Sequence, residues 1–101
     1  MTAAPKTIHE PDLREERALT PQFKVLLHND DVTPIDFVFG VLLQVFKLSR
    51  QKAWEVTLEA HHQGVALIVV EPREPAEFHV EQTHSLARGR KYPLTLSLEP
   101  A

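Results

Sequence analysis

Between Phe23 and Asn29 the chain reads FKVLLHN, with Phe23, Val25, Leu27 and Asn29 on one side and Lys24, Leu26 and His28 on the other. That period of two predicts a strand. It runs into Asn29, Asp30 and Asp31, residues whose side chains favour turns by bonding nearby backbone N–H groups. Thr33 is then the expected N-cap of a helix, with Pro34 at its first position and Asp36 three residues on as a short capping-box partner. Ile35, Val38, Val41, Leu42, Val45 and Phe46 recur at helical spacing, which predicts a helix from 34 to about 47. Ser49 can cap a second helix. Ala53, Val56, Thr57, Ala60 and His61 share one face of it, Trp54 and Leu58 form an adjacent apolar stripe, and Gly64 is its expected stop. VALIVVE, residues 65–71, reads as a strand apolar on both faces and therefore central in its sheet. Ala76, Val80, Thr83 and Leu86/Ala87 trace a third amphipathic helix, and LTLSL, residues 94–98, alternates as a half-buried strand.

The predicted order is β-α-α-β-α-β. Three strands can bury one sheet face under helices, so the expected fold class is α+β: a small α/β sandwich, a three-stranded antiparallel sheet with the helices packed on one face. Residues 1–20 are polar, hold Pro5 and Pro11 and show no sustained apolar period, and are expected to form a flexible N-terminal arm. Residues 21–101 are expected to form the core, and 101 residues leave room for one domain.

Charge and composition narrow the function. A net charge of −3 argues against a basic nucleic-acid footprint and gives no reason to expect an anionic membrane partner. The absence of Cys removes disulfides, thiolate nucleophiles and Cys-based zinc sites. The N-terminus lacks the apolar segment of a signal peptide, and the longest apolar run, VALIVV at 65–70, is far below the ~18 residues that span a bilayer. A cytoplasmic protein is expected.

Asn29, Asp30 and Asp31 form the first chemical candidate, an amide and two carboxylates with no neighbouring Lys or Arg in sequence. Alternation puts Asn29 and Asp31 on one side if the chain is still extended there. The plain alternative is a polar turn. His61, near the end of the second helix, is the next candidate; its alternative is a core histidine bonded to a backbone carbonyl. His61 and His62 project ~100° apart and cannot both face one site. Metal readings are weak: the two are not an i,i+4 pair, His79 and His84 are five apart, and Asp30 with Asp31 would hold Mg²⁺ only with help from a substrate phosphate. With only three Gly there is no glycine-rich phosphate loop. A metal-assisted phosphohydrolase using Asp30 and Asp31, a scaffold whose NDD is only a turn, and a binding module stay open on these residues.

The combination is more specific than its parts. A strand, NDDVTPIDFV, two helices, AHHQG, a strand and finally YPLTLSLE resembles the ClpS family, adaptors of the bacterial N-end rule pathway, over residues 21–99. The resemblance implies the sandwich already expected, no catalysis and no cofactor or metal. It implies an adaptor that binds the free α-amino group and bulky first residue of N-degron proteins (Phe, Tyr, Trp or Leu). It further implies delivery to a ClpA- or ClpC-like AAA+ unfoldase. Residue by residue, it assigns the amine to Asn29, Asp30, Asp31 and His61. The apolar pocket falls to Thr33, Ile35, Val38, Thr57, Ala60 and Leu94, and unfoldase binding to Glu74 and His79. The chain departs from the common pattern at Ile35 and Thr57, where Met is frequent, at Ala60, where Val is usual, and at His79, which replaces a Lys. Such a site makes chemical sense. An α-ammonium brings three donors and a positive charge, so it needs acceptors and a negative field at the mouth of an apolar hole.

Overall fold

The computed structural model describes residues 20–101, so the arm expected over residues 1–20 lies outside the described residues except for Thr20. The element order is β1 (Gln22–His28), α1 (Ile35–Gln44), α2 (Arg50–Gln63), β2 (Val65–Pro72), α3 (Arg73–Gly89) and β3 (Thr95–Pro100). The strands form one antiparallel sheet in the order β2-β1-β3. Val25 and Leu27 of β1, Ala66 and Ile68 of β2, Leu94 just before β3 and Leu96 within it are buried beneath Leu42 of α1, Ala53, Val56 and Ala60 of α2, and Ala76 and Ala87 of α3. The α+β sandwich expected from periodicity is the fold observed, helices on one face.

The central strand is β1, not β2. The apolar run of β2 reflects a bulge rather than burial on both sides. Its register against β1 shifts between Val25 and Leu26, so that Val25 faces Val69 while Leu26 faces Leu67, leaving Ile68 as the extra residue. Ala66 and Ile68 point into the core, and Val65, Leu67 and Val70 stand on the open face, each about two-fifths exposed.

The start of α1 also differs from expectation. Pro34 is the N-cap, and it makes no side-chain cap bond; Thr33 lies outside the helix. The first helical N–H groups to be satisfied, those of Phe37 and Val38, donate to the Pro34 carbonyl at 3.1 and 3.2 Å. The Thr33 hydroxyl is engaged elsewhere, by Asp30. The helix stops at Gln44, short of the predicted 47, and Lys47 adopts a left-handed φ of 59° in the turn that follows. At α2 both ends follow the sequence: Ser49 Oγ accepts the Lys52 N–H at 3.1 Å, and Gly64 (φ 90°) closes the helix by donating to the Ala60 carbonyl at 2.8 Å.

Candidate functional site

The end of β1 meets the end of α2. The Asn29 N–H donates to the Gly64 carbonyl at 3.0 Å, which fixes the residue just after β1 beside the C-terminal turn carrying His61. Between these ends and the first turns of α1 lies a cavity of about 290 Å³ counted to its open mouth. It is a narrow slot. Leu27, His28, Asn29, Asp30, Thr33, Ile35, Val38, Thr57, Ala60, His61 and Leu94 line it.

The lining sorts into an apolar interior and a polar mouth. Leu27, Thr57, Ala60 and Leu94 are buried, Val38 is half-buried, and Ile35 stands at the surface, 39% exposed. Thr57 is apolar towards the slot in effect. Its hydroxyl donates to the Ala53 carbonyl one turn back at 2.8 Å, so its polar group is satisfied within its own helix. Asn29 and His61 are both exposed at the mouth.

Asp30 has a different part from the one its charge suggests. Oδ1 accepts the backbone N–H groups of Val32 at 2.8 Å and Thr33 at 2.6 Å, and Oδ2 accepts the Thr33 hydroxyl at 2.9 Å. The carboxylate thus builds the turn that delivers the chain into α1. Burial pushes its carboxyl upward. Hydrogen bonds from the Thr33 and Val32 N–H groups and the Thr33 hydroxyl, with the charge of Arg88, more than offset this and hold it below the usual carboxylate value. Although no cation neighbours Asp30 in sequence, α3 brings Arg88 close to it.

His61 and His62 part company as helical geometry requires. His62 Nδ1 donates to the Leu58 carbonyl at 3.0 Å, the backbone bond considered for His61. His61 lines the cavity and makes no hydrogen bond within the described residues. The two rings meet edge-on at 5.4 Å.

Of the residues singled out from sequence, Asn29, Asp30, Thr33, Ile35, Val38, Thr57, Ala60, His61 and Leu94 come together on one cavity. Asp31 is exposed and outside the lining: β1 ends at His28, and the bend that follows breaks the alternation on which its placement rested. Leu27 and His28 were missed. Leu27 was findable, because the alternation of β1 puts it on the side of Asn29. The His28 ring is bonded to Ser97 Oγ at 2.6 Å. Glu74 and His79 lie apart from the cavity. Glu74 is exposed in the first turn of α3. His79 is half-buried, with Nδ1 at 2.7 Å from the Glu71 carboxylate and its ring 5.2 Å from that of Phe46.

A family model described as the ATP-dependent Clp protease adaptor protein ClpS matches residues 18–97. The ClpS adapter of Desulfatibacillum aliphaticivorans is 44% identical over 91 residues, 90% of this chain and 86% of that protein. The ClpS adapter of Synechococcus elongatus is 39% identical over 98 residues, 96% of this chain and 97% of its own. Among solved structures, Agrobacterium tumefaciens ClpS2 bound to L-phenylalaninamide superposes with a TM-score of 0.77 at 37% identity, covering 80% of this chain and 98% of that one. A cavity assembled from NDDVTP, the AHH turn and the start of the last strand, on this sheet and at these levels of identity, places the chain in the ClpS family of Clp protease adaptors.

Proposed function

We propose that the cavity holds the first residue of a substrate protein, with the side chain in the slot and the α-ammonium at its mouth. The adaptor then hands that protein to a Clp AAA+ unfoldase, ClpA- or ClpC-like, in the cytoplasm. It acts by binding, without catalysis. The observation that carries this is the division of one small cavity into an apolar interior and a rim holding an amide, a carboxylate and an imidazole with no hydrogen-bond partner among the described residues. The phenylalaninamide bound by the Agrobacterium relative has the matching parts: a free α-amine, an amide in place of the following peptide bond, and a benzyl side chain. Asn29 Oδ1 and a neutral His61 ring nitrogen accept from the ammonium, while Asp30, whose oxygens already hold the turn, contributes chiefly negative field. Asp31, exposed nearby, adds to that field.

Burial of a Phe or Leu side chain is worth ~1.5–3 kcal/mol. Each charge-assisted hydrogen bond adds about the same before the cost of association. Micromolar recognition of a single residue by its amine and side chain is therefore in range. Phe, Tyr, Trp and Leu are the first residues assigned to the slot, because an apolar wall favours bulky apolar side chains. Docking of the unfoldase is assigned to the N-terminal part of α3, where Glu74 is exposed, His79 borders it and Phe78 is 60% exposed. The test is a titration of a fluorescent peptide with N-terminal Phe beside its N-acetylated twin. Acetylation removes the charge and leaves the acceptors unpaired, so the twin should bind weaker by ~2–5 kcal/mol. Equal affinity would overturn the reading.

A further inference from the structure

We infer that His84 and Arg88, neither of which lines the cavity, are positioning residues that set its floor by fixing the free edge of β3 at Leu94 and Leu96. The inference rests on the reading that the cavity takes the first side chain of a substrate.

The strand β3 is an edge strand, paired with β1 alone. One side of its backbone is held by the β1 ladder, in which Leu96 faces Leu27. The other is held from α3. His84 Nε2 accepts the Leu96 N–H at 3.0 Å, and Arg88 Nη1 donates to the Leu94 carbonyl at 3.1 Å and also to that of Tyr92. His84 and Arg88 are four residues apart and so stand on one face of the helix, reaching backbone groups two residues apart. Between ladder and clamp, Leu94 is 1% exposed and Leu27 likewise, and both line the cavity. An edge strand without outer partners frays from its ends, and Leu94 is the residue immediately before β3 begins. Releasing either contact frees the backbone that carries the floor.

Arg88 acts on the site in a second way, through its charge near Asp30. The two effects separate by what they touch. The field at the mouth acts on the ammonium, which every substrate shares, whereas the floor acts only on the side chain. Discrimination among first residues therefore reports the floor, and neither a change of field nor a general loss of stability moves it.

The experiment measures the dissociation constants of two free-amine peptides that differ only in residue one, Phe or Ala, for the full chain and for Arg88→Met and His84→Leu. Arg88→Met keeps the aliphatic stem and removes the donors. The preference for Phe over Ala should fall about threefold to tenfold in each variant, as expected when a packed floor loosens. A ratio unchanged from wild type in a variant with native circular dichroism overturns the inference. Should Arg88→Met not fold, the pair His84→Leu and His84→Gln decides: the Gln carbonyl can still accept the Leu96 N–H and should keep the wild-type ratio. Equal ratios in that pair also overturn it. If the wild-type chain binds neither peptide, the function proposed above fails instead, so the two failures are distinct.

Discussion

Asp30 and Thr33 hold each other twice, through the Thr33 N–H on Oδ1 at 2.6 Å and the Thr33 hydroxyl on Oδ2 at 2.9 Å. A residue that looks like a ligand-binding acid is thereby the fastener of the turn between β1 and α1. Asp30→Ala should lose both the turn and part of the site. Three hydrogen bonds to a charged acceptor disappear and two backbone N–H groups lose their partner, so a destabilisation of about 1–3 kcal/mol is expected in urea unfolding. Asp30→Asn, which keeps an oxygen on the turn, should be less destabilised yet still bind a free-amine peptide more weakly. If Asp30→Asn binds like wild type, the carboxylate contributes no field at the mouth.

Asn29→Ala and His61→Ala should each weaken a Phe-first peptide by about tenfold or more, the loss of one hydrogen bond to a charged group. Their thermal midpoints should stay near wild type, because both side chains are exposed. His62→Ala, beside them but bonded to the Leu58 carbonyl, should leave the affinity alone. Equal losses at 61 and 62 would mean that the turn as a whole, not the His61 ring, matters.

Acid should destabilise the fold in two stages. Burial, aided by the charge of Arg88, pushes the His84 imidazole below its ordinary value, and in the fold its Nε2 lone pair is occupied by the Leu96 N–H. As pH falls through about 6.5 the unfolded chain takes up a proton that the folded chain refuses, so stability drops until the lower folded value is passed. Asp30 is likewise lowered. Its contribution is full above about 3.9 and disappears as pH falls through its lower folded value. Urea midpoints at pH 7.5, 5.5 and 3 should therefore decline in sequence. In His84→Gln the first decline should shrink, and a decline as large as wild type's would assign it to another group.

Thr83 is the clearest opportunity for stabilisation. Its side chain is fully buried on α3, and its hydroxyl has no hydrogen-bond partner among the described residues. Thr83→Val keeps the shape and removes the orphan group, so a gain of about 1 kcal/mol is expected. A loss on substitution would show that the hydroxyl is satisfied in solution.

Glu74, the proposed docking residue, offers a way to separate docking from recognition. It is exposed and remote from the cavity lining. Glu74→Ala should slow degradation of a Phe-first substrate by the cognate Clp protease while leaving the peptide dissociation constant unchanged. Normal degradation would move the unfoldase contact elsewhere.

Much of this architecture could be read from spacing. Ser49 and Gly64 bound α2 because a hydroxyl at one end and freedom of φ at the other are local needs met by local residues. The buried set Ala53, Val56, Thr57 and Ala60 follows from the helical period. The errors arose where two demands compete for one residue or where the partner is distant. Thr33 could cap α1 or bond Asp30, and the nearer carboxylate won. The bulge at Ile68 made an edge strand resemble a central one, since three outward apolar residues alternate with inward ones. Nothing in the sequence marks α1 as ending before Lys47, because the left-handed turn there is taken without glycine. Arg88 lies 58 positions from Asp30, and only the tertiary fold brings its charge to bear on that carboxylate.

The hydrogen bond from Asn29 to Gly64 gives residues 30–63 a shared point of departure and return. This segment is a cassette: it leaves the sheet, carries Ile35, Val38, Thr57, Ala60 and His61, and comes back to where it began. Exchanging it between related proteins would transplant most of the cavity wall, with the Asn29–Gly64 backbone bond marking its two ends. On the proposed reading, a recognition preference would then travel with one continuous segment, while Leu27 and Leu94, which lie outside it, would stay behind as the base of the cavity.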